Sequence, residues 1–219
     1  CFELIFSPSQ FLADRFIAWG LPADKLRVLE NGLLPEDVTA GDEAPDRQRR
    51  FAYFGQATPT KGLDVLLRAA RRAIEEGGRF TLDIHGVTEA RFRELWPHEP
   101  GLPGQVRFRG TYRPEDVVGL MRGYGWVVVP SVWWENSPVV IQEARQAGTP
   151  VIASAIGGMK EKVEGWGHLF PVGDSESLAR LLVTLAEDAT ALTTAQGRMT
   201  PPLLIDEQVR LWKARVSAL

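Results

Sequence analysis

Glu135 and Glu143 stand eight residues apart in the stretch SVWWENSPVVIQEARQAGTPVIAS, residues 131–154. The first precedes an expected helix start and the second lies inside that helix. Asn136 or Ser137 can cap the helix, and Pro138 suits its first position. Glu143 then lies about five residues in, about 7.5 Å along the axis, on the face of Val139 and Val140. The N–H groups of Val139 and Val140 can hold an anion at the helix start, with a carboxylate on either side of it. That suits a diphosphate joining two hydroxyl-bearing groups, a ribose at one end and a hexose at the other. The plainer alternative is that Glu143 is a solvated helix residue. Glu135 sits among Trp133, Trp134 and Pro138, so partial desolvation predicts a polar partner or a shifted pKa. At least one indole is expected in core or interdomain packing.

A second loop, FGQATPTKG at residues 54–62, offers Gly55 for close backbone approach, a following helix start for anions and the mobile charge of Lys61. It is neither a Walker sequence nor G-x-G-x-x-G, so an ordinary loop with a solvated lysine stays open. In GGMKEKV (157–163) the paired glycines suit either backbone contact with a ligand or a tight turn. In RGTYRP (109–114), Tyr112 is either close to a base or a rim residue. There is no Asp-x-Asp for a divalent cation, no G-x-S-x-G and no H-E-x-x-H. His85, His98 and His168 lack metal-ligand spacing. No metal or other cofactor is expected, and His85, at a strand end, reads as structural.

These loops need elements to position them. FELIF reads as a strand followed by a helix capped from Ser7-Pro8 or Ser9, and Asn31-Gly32 as a turn. Residues 35–50, polar and non-periodic, read as a linker. From residue 51, strands RRFAYFG, RFTLDIHG, QVRFRG, WVVVPS, TPVIAS and HLFPVGD alternate with amphipathic helices. In KGLDVLLRAARRAIEEGG, for example, Leu63, Leu66, Leu67, Ala70 and Ile74 form one stripe ended by Gly77-Gly78. The predicted class is α/β, a Rossmann-like doubly wound parallel sheet, with ligands beyond the carboxyl ends of its strands. A final amphipathic helix carries Ile205, Val209, Trp212, Val216 and Leu219 on one face.

The 219 residues are 44% hydrophobic and 24% charged, with net charge −3, so no global basic field recruits nucleic acid or an anionic membrane. One cysteine makes no internal disulfide and fits a reducing, cytoplasmic setting. No apolar run approaches the roughly 20 residues that span a bilayer. The opening CFELIF reads as a buried strand, so the chain is expected to begin inside a larger protein.

Taken together, FGQATPTKG, VRFRGTYRPEDVVGLM, VPSVWWENSPVVIQEARQAGTPVIAS, IGGMKEKV and LFPVGDSESLARLL resemble the retaining GT-B glycosyltransferases of family 4, in that family's order across residues 51–185. Glu135 and Glu143 match its E-x7-E pattern. The resemblance implies a tail of an N-terminal acceptor domain at 1–34, a linker at 35–50, a nucleotide-sugar-binding domain at 51–200 and a returning helix at 201–219. It implies a nucleotide-diphosphate-sugar donor, with a glycan, lipid or small-molecule acceptor, or a membrane surface, reached only through the absent part of the N-terminal domain. By itself the chain is expected to have little transferase activity. The counterpart of Lys61 binds the diphosphate, that of Glu143 the ribose, and that of Glu135 the donor sugar in a supporting catalytic role. Val139 and Val140 touch phosphates through their backbone, and Gly55, Gln56, Tyr112, Asn136 and Ser137 complete the implied donor site. Transfer would be metal-independent and retain the anomeric configuration. The sequence departs from the pattern in two places. Gln56 stands where the family has Arg, leaving Lys61, or an Arg such as Arg113, to compensate the charge. Ser137-Pro138 stand where it has Phe-Gly, and proline removes an N–H donor. A non-catalytic nucleotide- or partner-binding module and a nucleotide-sugar epimerase are the alternatives. A phosphorylase would need a pyridoxal lysine that the sequence does not show.

Overall fold

Short strands separated by amphipathic helices resolve into two parallel sheets. The computed structural model describes residues 3–36 and 46–217, so Cys1, Phe2, the central part of the expected linker and Leu219 lie outside the described residues. Near the N-terminus, β1 (Ile5–Ser7) and β2 (Leu26–Val28) pair in parallel around helix α1 (Gln10–Ala18). Ser9 caps α1, its side chain accepting from the N–H of Leu12.

The larger sheet contains β3 (Arg50–Phe54), β4 (Thr81–His85), β5 (Val106–Gly110), β6 (Trp126–Val129), β7 (Val151–Ser154) and β8 (His168–Phe170). Its spatial order is β5-β4-β3-β6-β7-β8, all parallel. The chain moves outward from β3 to β5, then returns to β6 beside β3. The switch point therefore lies between β3 and β6, where two successive strand-to-helix loops part in opposite directions and leave a crevice.

Period-2 alternation divides the strand side chains between two buried layers. Trp126 and Val128 face one layer with α2 (Leu63–Glu75) and α7 (Ser175–Glu187). Val127 and Val129 face the other with α4 (Val117–Arg122), α5 (Val139–Gln146) and α6 (Gly157–Val163). On α2, Leu63, Leu66, Leu67 and Ala70 are fully buried and Ile74 partly so, as the stripe predicts. Helix α3 (Glu89–Leu95), capped by the Thr88 side chain, buries Phe92 in the first of these layers. A 3₁₀ turn, Pro114–Asp116, leads into α4.

One expectation changes. Asn31-Gly32 makes no turn: Leu33 runs beside Leu204 in a parallel bridge, and a Cβ on Gly32 would sit 2.7 Å from the Ile205 Cα. At the described end of the expected linker, a 3₁₀ turn forms at Arg47–Arg49 and β3 begins at Arg50. Arg47 donates to the Tyr124 carbonyl at 2.8 Å, and the Trp126 indole to Gln48 O at 3.2 Å. The sequence periodicity also did not single out α8 (Ala191–Arg198). The final helix forms as α9 (Ile205–Val216), with Val209, Trp212 and Val216 partly exposed. No helix among the described residues is long and apolar enough to cross a membrane.

Candidate functional site

Beyond Phe54 at the end of β3 and Val129 at the end of β6, the crevice opens into a cavity of about 450 Å³. Two loops wall it, and the backbone laces them together. Val132 N–H donates to the Thr60 carbonyl at 2.9 Å. Gly62 takes a left-handed φ of 66° with Pro130 O so near that a Cβ would overlap it, a position open only to glycine. This clamp carries Lys61, in the 3₁₀ turn Pro59–Lys61, to the residues after β6.

Lys61 Nζ meets Glu135 Oε1 at 2.7 Å, and Ser131 Oγ donates to the same oxygen at 3.2 Å. Glu135 thus has the polar partner its surroundings require, and that partner comes from 74 residues away. The tryptophans are not core. Trp134 packs edge-on against Phe11 of α1 (5.9 Å between centroids) with the Arg15 guanidinium 5.4 Å from its ring. Trp133 is 63% exposed.

Helix α5 starts at Val139, not at Pro138. Pro138 is itself the residue before the first turn, and neither Asn136 nor Ser137 caps the helix. The first-turn N–H groups of Val139 and Val140 have no intrahelical partner and border the cavity. The Ser137 hydroxyl is buried at the same place with no hydrogen-bond partner among the described residues. A buried, unmatched hydroxyl costs about 1–3 kcal/mol, which an anionic ligand would recover.

Among the expected site residues, the cavity gathers Gly55, Gln56, Lys61, Tyr112, Glu135, Ser137, Val139 and Val140. Asn136 is exposed and does not line it. Its peptide instead rests on α6, where Gly158 N–H donates to Glu135 O at 2.7 Å. The paired glycines therefore support the Glu135 loop. Arg113 is drawn away from the cavity, gripped by Asp116 through two bonds of 2.9 Å. Sequence reasoning missed Tyr53, Phe54, Pro130 and Ser131, which also line the cavity. Their signal was positional, at the ends of two strands that the strand order makes neighbours.

Glu143 is one helical turn further along, in a neighbouring cavity of about 750 Å³ that also contains Glu36, Pro114, Glu115 and Val117. Burial, with the nearby Glu36 charge, pushes its carboxyl up to about 7. Tyr112 links the two cavities. It lines the first, and its phenol is pushed up by burial and then by the charge of Glu143.

The floor is rigid. His85 stacks on Phe54 (4.5 Å, 2° between planes) and shares a 2.8 Å hydrogen bond with the Tyr124 hydroxyl. Tyr124 donates to Asp83 Oδ2 at 2.9 Å, and Arg107 and Arg109 pair with Asp83 at 2.9 and 3.0 Å. With the tyrosine proton committed to Asp83, His85 Nε2–H is the donor to the tyrosine oxygen. Burial holds the His85 pKa below its ordinary value, so a neutral ring fits its place under Phe54. His85 is structural, as its sequence context suggests.

A model of the family "Glycosyl transferases group 1" matches residues 48–188. The chain is similar to phosphatidyl-myo-inositol mannosyltransferase of Mycobacterium leprae, 33% identical over 180 residues that cover 80% of this chain and 47% of that protein. It is also similar to the amylovoran biosynthesis glycosyltransferase AmsK of Erwinia amylovora, 29% identical over 197 residues covering 84% and 48%. Anabaena Alr3699/HepE, crystallised with UDP-glucose, matches with a TM-score of 0.79 at 26% identity, over 99% of this chain and 64% of that one. The chain spans about half the length of the curated relatives it matches.

Proposed function

The chain belongs to the group 1 glycosyl transferases and has the GT-B architecture of its structural neighbours, and from that premise we propose that its six-stranded unit binds a nucleotide-diphosphate sugar. The protein of which it is part would transfer a hexose-type sugar to an acceptor glycan, lipid or small molecule, with retention and without a metal ion. The proposal places a tail of the acceptor-binding domain at residues 1–34, a linker at 35–50, the donor-binding domain at 51–200 and a returning helix at 201–219. The separate β1–β2 sheet and the Leu33–Leu204 bridge between the two connections support that division.

One observation carries the reading. Lys61, the buried Ser137 hydroxyl and the N–H groups of Val139 and Val140 converge on one cavity at the switch point, with Glu135 in it and Glu143 a turn beyond. A diphosphate placed at the helix start meets a positive dipole end and an ammonium group. Those fixed charges stabilise the negative charge that builds on the nucleoside diphosphate as the bond to the sugar breaks. They supply at the leaving group what a divalent cation supplies elsewhere, which supports metal independence. Glu135 would then face the sugar, and Glu143, on the nucleotide side, the ribose hydroxyls. The Anabaena protein solved with UDP-glucose makes a UDP-hexose the first donor to test. The single cysteine supports a reducing, cytoplasmic setting.

Calorimetric titration with UDP, GDP and ADP, with Mg²⁺ and with a chelator, tests the reading. Selective binding that is indifferent to Mg²⁺ is expected. Lys61→Ala should weaken it about tenfold or more, the scale of a lost hydrogen bond to a charged group, and Glu143→Ala should weaken it as well. No binding to any of the three, or binding insensitive to both substitutions, would remove the donor site from this cavity.

A further inference from the structure

Lys61 already has an anion. Its ammonium lies 2.7 Å from Glu135 Oε1, an oxygen also held by the Ser131 hydroxyl. The pair is built into the backbone. The Val132–Thr60 hydrogen bond ties the two loops, and Gly158 N–H fixes the Glu135 peptide. A nucleoside diphosphate entering the same cavity would meet a lysine whose charge is compensated and a carboxylate of its own sign beside it.

Resting on the donor-site reading above, we propose that Glu135 is a resident counter-anion that the diphosphate must displace from Lys61, and that it thereby makes the site prefer the nucleotide sugar over the bare nucleotide. The two ligands differ in what they offer the displaced carboxylate. A sugar on the diphosphate presents hydroxyl donors, so Glu135 exchanges one charge-assisted partner for others. Free UDP, whose hydroxyls lie on the ribose, presents none on the sugar side, so Glu135 keeps only the Ser131 hydroxyl beside a phosphate of its own sign. After transfer the sugar is gone, the carboxylate returns to Lys61, and the nucleotide product is expelled. Glu135 acts here as a positioning residue for Lys61, in addition to any contact with the sugar. Lys61 is 41% exposed and Glu135 21%, so water screens the pair and the effect is modest.

The test is a double-mutant cycle on the full chain, with calorimetric affinities for UDP and UDP-glucose. Glu135→Gln should bind UDP about twofold to fivefold more tightly than the natural chain, the scale of one partly exposed ion pair, while its preference for UDP-glucose over UDP falls. In the Lys61→Ala background the same change should leave UDP affinity unaltered. Two results would overturn the proposal while leaving the donor site standing. One is a UDP affinity that Lys61→Ala weakens but Glu135→Gln leaves unchanged or weakens. The other is equal tightening in both backgrounds, which would mean simple charge repulsion rather than competition for Lys61. Failure of the natural chain and of Glu135→Gln to bind either ligand would overturn the donor site and this proposal with it.

Discussion

Gly158 lies against the Asn136 carbonyl so closely that a Cβ at that position would overlap the oxygen. Its N–H holds the Glu135 carbonyl at 2.7 Å. The first turn of α6 therefore sets the height of the loop that presents Glu135, although α6 contributes no side chain to the cavity lining. Gly158→Ala should destabilise the fold by about 1–3 kcal/mol, the usual cost of overpacking. Because the loop must lift away from α6, nucleotide-sugar affinity should fall about tenfold or more. Urea unfolding and calorimetry on the same preparation separate the two effects. Unchanged values in both would show that the loop is not seated on this glycine.

Glu143 has its carboxyl pushed up to about 7 by burial and by Glu36, and Glu115 lines the same cavity. The sign follows from proton linkage. Between its ordinary value near 4.5 and about 7, the folded chain binds the proton more tightly than the unfolded chain, so this group's contribution to stability falls as pH rises through that window. Glu143→Gln should therefore be more stable than the natural chain at pH 8, by about 1–3 kcal/mol, with the difference nearly gone at pH 4.5. Thermal unfolding of both chains across that range checks the slope. Equal slopes would mean that Glu143 titrates as an exposed carboxylate.

Asp83 behaves in the opposite sense. Burial by itself would raise its pKa. Hydrogen bonds from Arg109 and Tyr124 and the charge of Arg107 outweigh burial and hold it below the usual range. Its contribution is present above the ordinary carboxylate value near 3.9 and is lost as pH falls through the depressed folded value. Asp83→Asn should cost about 2–3 kcal/mol at pH 7, less than a wholly buried pair because Arg107 and Arg109 are both more than 40% exposed. The deficit should narrow on acidification below about pH 4. Urea midpoints at pH 7 and pH 3.5 measure both.

Glu161, on α6, ties the six-stranded unit to α1. Its carboxylate accepts the N–H groups of Gln10 and Phe11 at 3.0 and 2.8 Å, serving the start of α1 from another element. Glu161→Ala should cost about 1 kcal/mol, as the loss of a helix-capping group does. It should also raise the hydrogen-exchange rates of those two amides while leaving the β3–β6 amides protected. Unchanged exchange at Gln10 and Phe11 would show that α1 does not depend on this contact.

Local chemistry wrote much of this structure into the sequence. The α2 stripe from Leu63 to Ile74, the Ser9 cap of α1 and the alternation Trp126-Val127-Val128-Val129 each depend on residues within one or two turns, so reading order is enough to find them. The residues at the cavity were legible for the same reason, since Gly55, Lys61 and Glu135 follow strand ends. Their relationships were not. That Lys61 meets Glu135 depends on β3 and β6 being neighbours, and strand order is a property of the whole sheet. That Glu143 shares a cavity with Glu36 rather than with Glu135 depends on where the chain after β2 crosses α5. There Gln142 and Gln146 donate to the carbonyls of Asn31 and Leu34. The same crossing turned Asn31-Gly32 from an expected turn into a straight passage beside Leu204 and Ile205. Sequence alone thus determined which groups stand at the ends of which elements, because those signals are short-range. Only the tertiary structure decided which of them touch, because each such contact joins loops that the chain separates and the sheet brings together.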